Sequence, residues 1–340
     1  MKKYRHAWFI NFTGIGNGVV IAPLLYCFEK SFPETDYFHT ENEILSDDWF
    51  IQRAGLHKIK GSSPIEWRRF KKKNWNEIIN FIDGNAIDLI VNLRNEGPKY
   101  DAEYYEFKKF FGSNENLTFW DLDFGIIEKR EKQENLTHDI LRMFQAHGVD
   151  VSHYRSRWLS VQNDNKQGIG FGMAASQKNK RWPTHKWVEL AQMILKNNID
   201  QKLIVFHGLS QEETDQAIAV QKDIGSDRVE LIDRQTLSNI AIRLEKLKCF
   251  ISNDTGLLHI CVATGTPAIG LYTNTDPNIW APYDKEYFLS CANIFMNKCP
   301  ARKIYCGNCF HYYDACPAIT KYGDDINSMQ VFRLVEKIIS

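Results

Sequence analysis

Short apolar runs alternate with helix-like segments along nearly the whole chain, and this beat constrains the fold more than any other feature. Ala7–Phe12 reads as a buried strand, Gly14–Gly18 as a glycine-rich turn and Val19–Lys30 as a helix. The pattern predicts a strand at Tyr37–Thr40, a helix around Ser46–Ala54, a long helix at Pro64–Phe81 and a strand at Asp88–Leu93. A helix at Ala102–Phe111, a strand at Leu117–Leu122 and a helix at Leu136–His147 follow. The beat stalls over Ser152–Lys166 and restarts with a strand at Gly168–Gly172. Thr184–Lys196 then puts Trp187, Leu190, Ala191 and Ile194 on one helical face. After a strand at Lys202–Phe206, Ser210-Gln-Glu-Glu213 is a capping-box pattern that opens another helix. Next come a strand at Arg228–Ile232, a helix at Thr236–Lys248 and a strand at Cys249–Ser252. A helix at Thr255–Thr264, closed by Gly265, leads to the strand Pro267–Tyr272. The tail after Asn274 reads as irregular up to a final helix at Ser328–Ile339. Alternation of this kind predicts β-α-β units and parallel sheets. The expected fold class is α/β, with two Rossmann-like, doubly wound parallel-sheet domains facing a central cleft at the carboxyl ends of their strands.

Composition narrows the function classes. The 340 residues suit about two domains. Lys+Arg and Asp+Glu are both 42, so the chain lacks the basic excess of a general nucleic-acid binder. No apolar stretch reaches the roughly 18 residues that span a bilayer. The apolar run behind the basic N-terminus is shorter than a signal-peptide core of about 7–15 residues, so the expected location is cytoplasmic. In that compartment the eight cysteines are expected as thiols or metal ligands.

Three segments carry candidate chemistry. In Ser252-Asn-Asp-Thr-Gly-Leu-Leu-His259 a buried strand ends and a helix begins at once. Free N–H groups and the helix dipole make such an end an anion site. Gly256 lets a phosphate approach, Asp254 can accept from a sugar hydroxyl, and His259 lies one turn in. The plain alternative is that Asp254 or Thr255 only caps the helix and His259 is a core residue. The second segment, Gly172-Met-Ala-Ala-Ser-Gln-Lys-Asn-Lys-Arg-Trp-Pro-Thr184, also joins a strand to a helix. Ser176 offers a hydroxyl, and Lys178, Lys180 and Arg181 offer cations for a diphosphate. The alternative is a solvated basic loop. Third, Gly14-Ile-Gly-Asn-Gly18 resembles part of a dinucleotide fingerprint, but no clear acidic residue ends the next strand, so NAD binding is discounted.

Gly14–Pro23, Lys180-Arg-Trp-Pro183, Asn253-Asp-Thr-Gly-Leu-Leu-His259, Gly265-Thr-Pro267 and Thr275-Asp-Pro277 together resemble motifs of the heptosyltransferase-like glycosyltransferases, family 9. They occur in the family's order across nearly the whole chain. The resemblance implies the GT-B fold, with an acceptor-binding domain over 1–160, a nucleotide-sugar domain with a cysteine-bearing tail over 161–325, and a terminal helix over 326–340. It implies inverting transfer of a sugar, heptose from ADP-heptose, to a cell-envelope glycan such as lipopolysaccharide core, with no catalytic metal. Carried over by position, Lys180 holds the donor diphosphate with Ser176 nearby, and Asp254 binds the donor sugar. Thr255, Gly256 and His259 line the diphosphate pocket, and Glu213, or its neighbour Glu212, reaches the nucleotide ribose. The alternatives are another donor or a protein acceptor, or a catalytically weak or silent nucleotide-sugar-binding protein.

One departure bears on the base. The family commonly has an aspartate after Gly-x-Gly, whereas Gly16 is followed here by Asn17, whose amide cannot take a proton at neutral pH. The loop Arg94-Asn-Glu96-Gly-Pro-Lys-Tyr-Asp101 after a predicted strand offers Asp101 ahead of Glu96 as base; the alternative is a pair of solvated loop carboxylates.

Two further clusters stand apart. Cys299, Cys306, Cys309 and Cys316 follow Cys-x6-Cys-x2-Cys-x6-Cys, a candidate structural zinc or iron site with His311 as a fifth ligand; the alternative is four free thiols. Trp67-Arg-Arg-Phe-Lys-Lys-Lys73 carries five cations in seven residues. It suits peripheral contact with an anionic inner-membrane surface or a phosphorylated lipid-linked acceptor, against the alternative of a solvated helix face.

Overall fold

The computed structural model describes residues 3–10, 14–63, 75–93, 106–121, 135–161, 165–197, 201–208, 210–225, 227–232, 234–273, 275–284, 286, 288–292 and 326–340. The chain divides into two compact units, Met1–Arg155 and Ser156–Ser340.

The first unit holds a five-stranded sheet of β1 (His6–Ile10), β2 (Asp36–Thr40), β3 (Ile59–Ser63), β4 (Ile87–Asn92) and β5 (Thr118–Asp121), in the order β3-β2-β1-β4-β5. Every pairing is parallel. Its helices are α1 (Ile15–Ser31), α2 (Asp48–Ala54), α3 (Trp75–Gly84) and α4 (Leu136–Ala146), and residues 106–111 are also helical. β1 and β4 are almost wholly buried, as expected of central parallel strands. On one face Trp8, Ile10 and Ile90 pack against Trp75, Ile78, Phe81 and Phe107. The glycine-rich turn is shorter than expected: α1 starts at Ile15, four residues early, so Gly16, Asn17 and Gly18 lie in its first turn. Gly18 is required there, since a Cβ would fall 2.1 Å from Asn42 Oδ1. That buried asparagine donates to Gly14 O at 3.2 Å and accepts from Ile44 N at 3.0 Å, docking the chain after β2 onto the start of α1.

The second unit holds β6 (Ile169–Gly172), β7 (Leu203–Phe206), β8 (Val229–Ile232), β9 (Cys249–Asn253), β10 (Ala268–Tyr272) and β11 (Phe288–Ala292), in the order β11-β10-β9-β6-β7-β8. All pairings are again parallel. Its helices are α5 (Thr184–Asn197), α6 (Gln211–Ile224), α7 (Leu237–Glu245), α8 (Gly256–Ala263), the short α9 (Pro277–Trp280) and α10 (Ser328–Ile339). Trp187, Leu190, Ala191 and Ile194 of α5 enter a core with Phe171, Ile251, Val331 and Val335. The terminal helix belongs to this unit, and Ser328 Oγ donates to Glu189 at 2.7 Å. Both orders place a topological switch beside the unit's first strand, between β1 and β4 and between β6 and β9, where α/β sheets take their ligands.

Three elements are additions to the sequence reading. β3 falls in a stretch with no apolar run, and β11 and α9 lie in the tail expected to be irregular. The helix expected over Pro64–Phe81 is described from Trp75 and runs on to Gly84. The basic run Trp67–Lys73, Glu96, Asp101, Cys299, Cys306, Cys309, Cys316 and His311 lie outside the described residues.

Candidate functional site

The site is built at the switch of the second unit. β6 ends at Gly172 beside Ser252 of β9, and Ser252 Oγ donates to Gly172 O at 3.3 Å. A Cβ at Gly172 would meet that hydroxyl at 2.4 Å and the Phe250 ring at 2.6 Å, so glycine is what lets the two strand ends close together. The chain leaving β6 carries Ser176 and Lys180; the chain leaving β9 carries Asp254, Thr255 and Gly256 into α8.

These two strand exits meet. Lys180 Nζ lies 2.8 Å from Asp254 Oδ2, and Thr275 Oγ1, just beyond β10, donates to the same oxygen at 2.7 Å. Among the described residues, no hydrogen bond falls on Asp254 Oδ1. Burial would raise the Asp254 carboxyl. The Lys180 ammonium, the two hydrogen bonds and the nearby His259 instead bring it below its ordinary value, so it is ionised. Burial lowers His259, with Asp254 opposing and Lys180 adding to the effect, so the half-buried imidazole is neutral at physiological pH. Thr255 occupies the N-cap of α8 in extended geometry, but its side chain makes no capping bond. The first turn of α8 contains no acidic residue, and although Leu258 N donates to Thr255 O at 3.1 Å, the N–H groups ahead of it and the helix dipole can serve an anion. A lysine with spare donors, an open helix N-terminus and an ionised carboxylate can hold a diphosphate and an adjoining polyol.

The cations of this loop divide their roles. Lys180 faces Asp254, whereas Lys178 pairs with Glu212 at 2.9 Å on the surface. Arg181, expected with them on the diphosphate, turns to α6. Its Nε donates to Ala175 O at 2.9 Å, and its other nitrogens lie 3.4 Å from Glu213 and 3.6 Å from Glu212. Glu213 completes the capping box with Ser210 and accepts from Ala175 N at 3.2 Å, so its carboxylate is engaged by the loop. Ser176 is exposed on the same loop. In the first unit, Gly16 and Asn17 occupy the first turn of α1 at the exit of β1, the corresponding switch of that sheet. Among the described residues, no group of three or more His, Cys, Asp or Glu is arranged to hold a metal. The described cysteines, Cys27, Cys249, Cys261 and Cys291, are buried free thiols.

Two residues of the site carry no functional signal of their own in the sequence. Thr275 stands there only as part of Thr275-Asp-Pro277, yet it holds Asp254. Asn253, fully buried, accepts from Trp182 N at 3.0 Å and donates to Met173 O at 2.7 Å, spanning from β9 to both ends of the Lys180 loop. The signal was an amide at the last position of an apolar strand, since a buried amide must find partners.

Comparison with known proteins fits this arrangement. The profile of glycosyltransferase family 9 (heptosyltransferase) matches residues 131–307. Lipopolysaccharide heptosyltransferase 1 of Salmonella typhimurium (strain LT2) is 32% identical over 119 residues, 35% of this chain and 36% of that protein. The aligned region thus spans about a third of that relative's length. Among solved structures, E. coli heptosyltransferase WaaC with ADP-2-deoxy-2-fluoro heptose is similar at TM-score 0.63 and 16% identity, covering 98% of this chain and 99% of that one. A family 9 glycosyltransferase from Veillonella parvula gives TM-score 0.67 at 15% identity, covering 99% and 97%. The fold is that of these proteins, two parallel-sheet α/β domains of GT-B type. No helix among the described residues is long and apolar enough to cross a membrane. With its profile matching over more than half the sequence, the chain belongs to glycosyltransferase family 9.

Proposed function

We propose that this protein transfers a heptose from an ADP-linked donor to a cell-envelope glycan of the lipopolysaccharide type, with inversion, at the cytoplasmic face of the envelope. The observation that carries the reading is the Lys180–Asp254–Thr275 cluster beside the open N-terminus of α8, at the switch of the second sheet. The relatives named as lipopolysaccharide heptosyltransferases, and the similar structure solved with an ADP-heptose analogue, support the choice of donor and acceptor.

In this reading Lys180 and the α8 N–H groups bind the diphosphate. As the acceptor hydroxyl attacks the anomeric carbon, the glycosidic C–O bond breaks and negative charge develops on the departing diphosphate, where those donors stabilise it. Asp254, with Oδ1 open, accepts from a hydroxyl of the donor sugar. A carboxylate of the first unit takes the acceptor proton. Asn17 cannot, so the assignment falls on Asp101 ahead of Glu96.

Calorimetry with ADP, GDP, UDP, CMP and NAD, on wild type and Lys180→Ala, tests this reading. ADP should bind selectively, and Lys180→Ala should weaken it by about tenfold or more, the loss of a charge-assisted contact. Selective binding of UDP or GDP would overturn the ADP-heptose assignment. Folded wild type that binds none of them would overturn the transferase reading.

A further inference from the structure

We propose that Asn253 is the positioning residue of the donor site: its side chain sets the Lys180 loop against Asp254, so the ammonium and carboxylate reach the donor in one fixed arrangement. The proposal rests on the nucleotide-sugar reading and adds the residue that assembles that site.

The geometry makes Asn253 unusual. Its backbone ends β9 and delivers Asp254 directly. Its amide bonds the two ends of the segment that delivers Lys180, accepting from Trp182 N at 3.0 Å and donating to Met173 O at 2.7 Å. One residue therefore carries one member of the charge pair and grips the loop of the other. Only an amide offers an acceptor and a donor at that length without charge. An ionised aspartate would keep the first bond but set a carboxylate against the Met173 carbonyl; alanine would leave a buried N–H and C=O unpaired. On the far side the loop is tied to α6 by Glu213, which accepts from Ala175 N and lies 3.4 Å from Arg181, while the Arg181 Nε bond to Ala175 O braces the loop internally. Those ties hold the loop to a neighbouring helix, while Asn253 alone among these contacts sets its position relative to Asp254. Trp182 adds a fixed end: its ring is fully buried, and its Nε1 donates to Ile326 O at 3.1 Å. The loop is thus anchored at Trp182, and the anchor is referenced to β9 through the Asn253 amide.

A positioning role acts through Lys180; a merely stabilising role does not. The test is a double-mutant cycle of Asn253→Ala and Lys180→Ala, read as ADP affinity by calorimetry and as backbone hydrogen exchange over residues 173–182 in the nucleotide-free protein. Asn253→Ala should weaken ADP binding by about tenfold, and most of that loss should vanish when Lys180 is already alanine. Exchange should quicken over 173–182 while the core of the second unit, Phe171 and Ile251, keeps its protection. Asn253→Ser keeps a neutral hydroxyl that is too short to make both bonds, so it should fall between wild type and alanine; it carries the same comparison where alanine does not fold. Equal losses in both Lys180 backgrounds, unchanged affinity in a folded variant, or exchange quickening uniformly across the unit would each overturn the proposal. Wild type that binds no nucleotide would defeat the functional reading, and the exchange pattern would then decide the positioning role by itself.

Discussion

At Asp254, burial and ion pairing pull in opposite directions, and the pair wins. Lys180 and Thr275 share one carboxylate oxygen and leave the other open, a division of labour within one side chain. The proposed roles then separate by substitution. Asp254→Asn removes a negative charge from beside the diphosphate and unpairs Lys180, so ADP itself should bind as well as to wild type or tighter. An ADP-linked sugar should lose its advantage over ADP by about tenfold, because the sugar contact is gone. Competitive binding of the two ligands measures this, and a loss as large for ADP as for the nucleotide sugar would count against the assignment. The base gives a second prediction. Asp101→Asn should cut single-turnover transfer by about a hundredfold or more while leaving ADP affinity unchanged, since a general base acts in the transition state and not on the bound nucleotide. Retained transfer in both Asp101→Asn and Glu96→Gln would return the question to another carboxylate. The sequence made Lys180 and Asp254 legible because ionisable residues at strand exits stand out. Arg181 misled because a cation in a basic loop carries no sign of direction, and its partners, Glu212 and Glu213, sit thirty-odd residues on in a different helix.

The same contrast appears among the elements. Ser210-x-x-Glu213 read as a capping box and is one, with the serine hydroxyl and the glutamate each bonded to the other's backbone N–H. Here the box does more than start a helix, because the Glu213 carboxylate also accepts from Ala175 N in the Lys180 loop. Ser210→Ala should cost about 1 kcal/mol of stability to the second unit. It should also weaken ADP binding by less than Asn253→Ala does, as it loosens the far tie rather than the near one. Chemical denaturation and calorimetry on the same preparation check both parts. Where the sequence failed, it failed at the edges. Among the described residues, β3 and β11 are both terminal strands of their sheets, each paired on one side only. Central strands such as β9 and β10 are buried along their length and read as continuous apolar runs. β3, Ile-Lys-Gly-Ser-Ser, buries only its last residue fully, so nothing in its pattern separates it from a loop. The early start of α1 was hidden for another reason. Glycines signal a turn, but Gly18 is there to admit Asn42, a contact invisible without the fold.

At the scale of the whole molecule, histidines that desolvation holds below their ordinary value couple both units to acid. Burial lowers His39 in the first unit, against the pull of its backbone partners and Glu41, and lowers His259 in the second, against the pull of Asp254. His147, exposed but stacked on Trp120, is lowered by partial desolvation of its ring, against the pull of Asp121. In the unfolded chain each takes a proton near its ordinary value of about 6.5, while in the folded state protonation waits for lower pH. The unfolded state therefore binds more protons across that window, and stability must fall as pH drops below about 6.5. Asp254 adds a later loss: its carboxyl is lowered by folding, so its contribution is whole above its ordinary value and disappears as pH falls through the lowered one. Urea titrations from about pH 7.5 to 5 should show both units losing stability, with no such loss above neutrality. Replacing His39 by glutamine should reduce the response of the first unit alone, leaving the part that His147 contributes, and replacing His259 should reduce that of the second alone, because each histidine lies within its own compact unit. Bound ADP should shield the second unit selectively in the same titration, since a ligand that binds only the folded state raises its stability in proportion to occupancy. A profile flat from neutrality to about pH 5 in both units would refute the coupling, and protection by ADP of the first unit alone would move the nucleotide site away from Lys180 and Asp254.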